Sequence, residues 1–170
     1  MKILLIGPQG SGKSTQAKLL AEYLKLPVIS TGDIFREMAP TNEWIRKILS
    51  EGKLVDDQST SKVVEKRLRE KDCRDGFILD GYPRNLEQIR LFAPKFDLVV
   101  YLSLPEEQVI QRLMKRGRED DSRESIESRL DLYFRQTAAL LDYYRNLGIL
   151  HEIDGRGEIE KIQNEIQEYL

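Results

Sequence analysis

The chain of 170 residues carries one cysteine, Cys73, and one histidine, His151. A single thiol cannot close an internal disulfide, and one thiol with one imidazole cannot build a structural zinc site. Long hydrophobic runs are missing as well. No segment approaches the roughly 18 apolar residues of a membrane span. The opening run Ile3-Leu4-Leu5-Ile6 stops at Gly7-Pro8, too short for the core of a secretory signal. Neither sign of charge dominates: 27 Lys and Arg stand against 29 Asp and Glu, a net charge of −2. That balance argues against a broad basic face for duplex nucleic acid, and so against a nucleic-acid partner. With no membrane or secretion signal, the chain is expected to be a soluble cytoplasmic protein. At 19.8 kDa it has the size of one ordinary domain with a real core. Charged residues make up 33%, above the usual ~25%, which reads as a well-solvated surface.

What is present is an alternation of short apolar runs with longer amphipathic stretches. Ile3–Ile6, Pro27–Ile29, Phe77–Leu79, Leu98–Leu104 and Ile149–Ile153 read as five strands. Between them the periodicity predicts helices over 14–25, 32–38, 43–49, 57–71, 86–92, 105–116 and 122–145, with a last helix over 159–169. Gly52, Gly117 and Gly148 are placed to end three of these helices. Strands separated by helices imply one parallel sheet covered on both faces. The segment between strands two and three holds two short helices around Pro40 and reads as a small excursion from the sheet. Trp44, the tyrosines, Cys73 and His151 are assigned to packing.

Gly7-Pro8-Gln9-Gly10-Ser11-Gly12-Lys13-Ser14 fits the pattern G-x-x-x-x-G-K-[ST]. A glycine-rich tight turn could give the same string. Here it directly follows a predicted buried strand and directly precedes a predicted helix, as phosphate binding requires. Glycines let backbone N–H groups wrap a polyphosphate, and the helix N-terminus adds positive potential. Lys13, expected to face solvent, would supply a point charge to the β and γ phosphates, and Ser14 a hydroxyl for Mg²⁺. Phe77-Ile78-Leu79-Asp80 is an apolar strand ending in a carboxylate, the expected partner of that Mg²⁺.

Three further segments narrow the reading: Ser30-Thr31-Gly32-Asp33-Ile34-Phe35-Arg36, Gly52-Lys53-Leu54-Val55, and Asp80-Gly81-Tyr82-Pro83-Arg84 with Gln88 one turn beyond. In this order and spacing the set resembles the adenylate kinase family of nucleoside monophosphate kinases, over nearly the whole chain. The resemblance implies a three-layer P-loop fold around a five-stranded parallel sheet. It also implies reversible Mg²⁺-dependent transfer of a phosphoryl group from ATP to AMP, giving two ADP. A core of residues 1–30 and 60–170 would carry a small AMP-binding subdomain at 31–59. By the same resemblance Gly10, Ser11, Gly12, Lys13, Ser14, Thr15, Arg112, Arg116 and Gly157 belong to the ATP site. Thr31, Arg36, Lys53, Val55, Gly81, Arg84 and Gln88 belong to the AMP site. Arg118 and Arg129 close over the transferring group and, with Lys13 and Arg84, form the catalytic set. The physical reading agrees. The acceptor is an ionised phosphate and needs no general base, so the work is neutralising and aligning two anions. Arginine forks suit that work.

The nearest alternative is a UMP/CMP kinase. Thr31 and Gln88 resemble the AMP-type arrangement, whereas Asn85, directly after Arg84, resembles the pyrimidine-type sequence. A kinase for a small hydroxyl acceptor would need a carboxylate base, for which Asp33 is available, but would leave Arg84 and Gln88 without roles. A GTPase-like switch would carry Asn-Lys-x-Asp, which does not occur. The chain departs from the longer family members at Arg116-Gly117-Arg118, which joins directly where those members insert a lid domain. Only a turn over 117–122 is available for closure. A monomer is expected, a partner subunit being the other way to cover the donor site.

Overall fold

The computed structural model describes residues 1–51, 53–116 and 123–170, apart from the side chains at 116, 125 and 129. Its elements are β1 (Lys2–Ile6), α1 (Lys13–Leu24), β2 (Val28–Ser30), α2 (Thr31–Met38), α3 (Glu43–Ser50), α4 (Asp57–Leu68), a single 3₁₀ turn at Lys71–Cys73, β3 (Phe77–Asp80), α5 (Leu86–Leu91), β4 (Leu98–Ser103), α6 (Glu106–Arg116), α7 (Arg123–Asn146), β5 (Leu150–Asp154) and α8 (Ile159–Gln167). The strands form one parallel sheet in the order β2-β3-β1-β4-β5.

The alternation of side chains along β1 builds the layers. Ile3 and Leu5 point to one face, where they join Ala17 and Leu20 of α1 and Ile162 and Ile166 of α8. Leu4 and Ile6 point to the other, joining Val64 of α4 and Leu140 and Tyr144 of α7. Burial on both faces is why β1 reads as a continuous apolar run. A third cluster seals α6 against α7 through Val109, Ile110, Leu113, Ile126 and Leu130. A fourth is separate from the sheet: Phe35, Ile45 and Val55 bury one another among α2, α3 and the approach to α4.

The helix expected over 57–71 ends at Leu68. Arg67 is the reason: its guanidinium donates to both carboxylate oxygens of Asp72, at 2.9 and 2.7 Å, and to Cys73 Sγ at 3.1 Å. The chain folds back on that contact and delivers Cys73 and Phe77 to the core. The other expected elements agree with the structure to within one or two residues at each end. Gly52 and Gly117, expected to end helices, lie outside the described residues.

The order 2-3-1-4-5 places β1 at the centre. After β1 the chain crosses to the β2–β3 side, and after β3 it passes back over β1 to β4. The carboxyl end of β1 is therefore the point where connections diverge to opposite sides, and a crevice must open there.

Candidate active site

The loop 7–12 leaves β1 at that crevice. Gly10 and Gly12 adopt φ of +85° and +98°, a region that residues with a Cβ rarely enter. Those angles turn the chain directly into α1, whose first turn carries no acidic residue and no side-chain cap. By contrast α2, α3, α4 and α5 are each capped by a side-chain oxygen, from Ser30, Asn42, Asp56 and Asn85. The free N–H groups at the start of α1 are thus left for an anion.

Lys13 Nζ donates to Pro8 O at 2.8 Å, across the loop. The side chain is half-buried within the loop rather than facing solvent as expected from the sequence. Burial lowers its pKa to about 8; Asp80 opposes the shift and Arg84 adds to it. Asp80 is buried at the end of β3, paired in register with Leu5 of β1. It accepts a hydrogen bond from Ser14 Oγ at 2.8 Å. Burial also depresses the Arg84 guanidinium, again with Asp80 opposing. Arg84 Nε donates to Gly81 O at 2.9 Å, and Thr31 Oγ1 donates to the same carbonyl at 3.0 Å. Two cations disfavoured by burial therefore lie within electrostatic reach of one buried carboxylate. Such a site gains most from an arriving polyanion.

Residues 5–149 match the family model described as adenylate kinase. The chain belongs to the adenylate kinase family. It is 42% identical to an adenylate kinase of Bifidobacterium longum, with the whole of both chains covered. It is 39% identical to one of a Nocardioides species, covering all of this chain and 97% of that one. An adenylate kinase of Thermobifida fusca is 42% identical over 95% of this chain and 94% of its own. Membership makes the protein a nucleoside monophosphate kinase, a phosphotransferase, on the P-loop three-layer fold.

The other expected adenylate kinase site residues divide by what holds them. Arg112 reaches back from α6, its Nη2 donating to Gly155 O at 3.0 Å and its Nη1 to Gly10 O at 3.5 Å. It ties the phosphate loop to the turn after β5, where Gly157 lies exposed. Arg36 is ion-paired with Asp33 at the surface, and Lys53 with Glu51 at 2.7 Å. The Val55 side chain is buried in the small cluster. Gln88 is 3% exposed, and its amide is already engaged at both ends. The backbones of Arg116 and Arg129 close α6 and sit within α7, but their side chains, and all of Arg118, lie outside the described residues.

Asn85, the residue that pointed toward a pyrimidine acceptor, is occupied. Its Oδ1 accepts from the Gln88 N–H at 2.9 Å and caps α5, and its Nδ2 donates to both Asp57 oxygens at 3.1 Å. Sequence reasoning missed two residues. Asp57 joins the start of α4 to Asn85 and Gln88 at the start of α5, and nothing in its local pattern distinguishes it from a residue of a helix first turn. Gly155 N donates to Ser103 O at 2.8 Å, and a Cβ there would lie 2.9 Å from Ser103 O and 3.3 Å from Ser11 O. Asp154-Gly155 at the end of a strand was the available signal.

Proposed function

We propose that the protein transfers the terminal phosphoryl group of ATP to AMP, reversibly, and so serves adenine-nucleotide balance in the cytoplasm. The observation that carries the reading is the hydrogen bond from Ser14 Oγ to the buried Asp80 at an uncapped helix N-terminus, with Lys13 and Arg84 within electrostatic reach of that carboxylate. Donor and acceptor phosphates repel each other, and fixed cations on both sides are what allows them to meet. In the reaction an AMP phosphate oxygen bonds to the γ-phosphorus. The bond from that phosphorus to ADP breaks, and its electron pair leaves on the β-phosphate oxygen.

On this reading Gly10, Ser11, Gly12, Lys13, Ser14 and Thr15 hold the ATP phosphates. Arg112, Arg116 and Gly157 bound the rest of the donor site. Thr31, Arg36, Lys53, Val55, Gly81, Arg84 and Gln88 hold AMP, and Arg118 and Arg129 close over the transferring group. Residues 31–59 act as the acceptor subdomain of a core formed by 1–30 and 60–170; the short lid expected at 117–122 lies outside the described residues. Ser14 Oγ and the Asp80 carboxylate are hard oxygen donors side by side, a pair that fits Mg²⁺. Bound with ATP, the ion would neutralise charge on the β and γ oxygens. Among the described residues no helix is long and apolar enough to cross a membrane, and no group of three His, Cys, Asp or Glu side chains could hold a metal. The protein is proposed to act as a monomer.

The test is ADP formation from ATP with AMP, UMP, CMP or GMP as acceptor, with the mass in solution measured alongside. AMP is expected to be preferred. Preference for UMP or CMP would overturn the acceptor assignment and leave the family intact.

A further inference from the structure

The acceptor side of the site contains an amide whose orientation is fixed by chemistry. Gln88 Nε2 donates to Asp57 Oδ1 at 2.7 Å, and Gln88 Oε1 accepts from the backbone N–H of Arg84 at 2.8 Å. A carboxylate only accepts and a backbone N–H only donates, so the two ends of the amide cannot be exchanged. The Asp57 carboxylate is itself held by both contacts from Asn85 Nδ2, and Asn85 by the N–H of Gln88. The four groups form a closed ring from the start of α4 to the start of α5. Rotating the Gln88 amide by half a turn would set its oxygen against Asp57 and its NH₂ against the Arg84 N–H. Two hydrogen bonds would become two repulsive contacts in a position that is 3% exposed.

Each end of the locked amide keeps one free valence: a second N–H on Nε2 and a second lone pair on Oε1. Their order matters. The pairing edge of adenine offers a donor, the 6-amino group, next to an acceptor, N1. A 6-oxopurine offers the reverse, an acceptor at O6 and a donor at N1. With the base set so that its 6-substituent faces Gln88 Oε1 and its N1 faces Nε2, the amide as held matches adenine, and only the rotated amide matches hypoxanthine or guanine.

We propose that Asp57 is a specificity-determining positioning residue: by locking the Gln88 amide, it makes the acceptor site reject 6-oxopurine monophosphates in favour of AMP. This rests on the acceptor reading above. Asp57 acts through Gln88, and its effect lies in the choice between bases rather than in the chemical step.

The test compares kcat/KM for AMP and for IMP, with ATP as donor, in the wild type and in Asp57→Asn. An asparagine fills the same space but can offer either an oxygen or an NH₂, so one of the two locks is released. The AMP-to-IMP ratio is expected to fall about tenfold, the worth of one misplaced buried hydrogen bond. The change should sit in the acceptor KM, with the KM for ATP within about twofold of wild type. Asp57→Ser, whose hydroxyl can also donate or accept, should lower the ratio in the same direction. An unchanged ratio in a folded variant, with both acceptors weakened equally, would make Asp57 a structural residue and overturn the proposal. Failure of both variants to fold would do the same. Wild-type enzyme that uses AMP and IMP equally would overturn the lock alone, whereas wild-type enzyme that ignores AMP would overturn the acceptor reading beneath it.

Discussion

Lys13 is costly to the fold and, in the proposed reaction, the residue on which the chemistry most depends. Its charge is disfavoured by burial until a phosphate arrives. Lys13→Met should therefore fold at least as well as the wild type while losing on the order of 10²-fold or more in kcat. Near-normal turnover in the folded variant would remove the loop from the mechanism. A pH dependence follows from the same shift. The folded pKa, about 8, lies below the ordinary lysine value of 10.5, so between these values the unfolded chain binds more protons than the folded one. This group's contribution to the stability of the free protein thus rises with pH through that window. Bound phosphate favours the charged form and reverses the shift. ATP binding at about pH 8.5 should then take up part of a proton, and affinity should fall as the pH rises further. Calorimetry in buffers of different ionisation heat measures that uptake, and its absence would place Lys13 outside the field of the phosphates.

Among the elements, the phosphate loop depends on its neighbours as much as on its own glycines. The turn after β5 supports it from below, through the Gly155 N–H on Ser103 O and through Arg112 bridging Gly155 O and Gly10 O. A side chain at 155 would press on two backbone oxygens, neither of which can rotate away. Gly155→Val should cost about 1–3 kcal/mol in stability, the usual range for overpacking. It should also raise the KM for ATP several-fold while the KM for AMP stays near its original value. Thermal unfolding and steady-state kinetics read the two effects separately. Equal increases in both KM values would show that the strain spreads beyond the donor side.

At the scale of the whole molecule, the apolar clusters predict how the protein comes apart. The two clusters on the faces of the sheet share strands and should open together. The cluster of Phe35, Ile45 and Val55 is built from short helices between β2 and α4 and should open independently at lower cost. Ile45 is 2% exposed, and Ile45→Ala should remove about 2–4 kcal/mol from that local unit. Amide exchange should quicken across α2 and α3 while β1 and β4 keep their protection. AMP affinity should drop more than ATP affinity. Uniform loss of protection would mean that the small cluster and the sheet form one cooperative unit.

The sequence by itself determined the layering, the phosphate loop and the family. Short continuous apolar runs read as strands buried on both faces, and helix-period stretches between them imply parallel crossovers. The loop was legible because its chemistry is local: eight consecutive residues carry the glycines, the lysine and the hydroxyl. The tertiary structure decided what depends on residues far apart in the chain. Ser14 Oγ meets a carboxylate only because strand pairing brings Asp80 beside Leu5. Helix α4 stops at Leu68 because Arg67 meets Asp72 and Cys73, contacts that helical periodicity cannot express. Asn85 carries opposite meanings in the two views. Next to Arg84 in sequence it suggests a pyrimidine acceptor, yet in space its amide is spent on Asp57, 28 residues away, and on capping α5. A side chain's hydrogen-bonding capacity is finite, and only the fold shows which partner takes it.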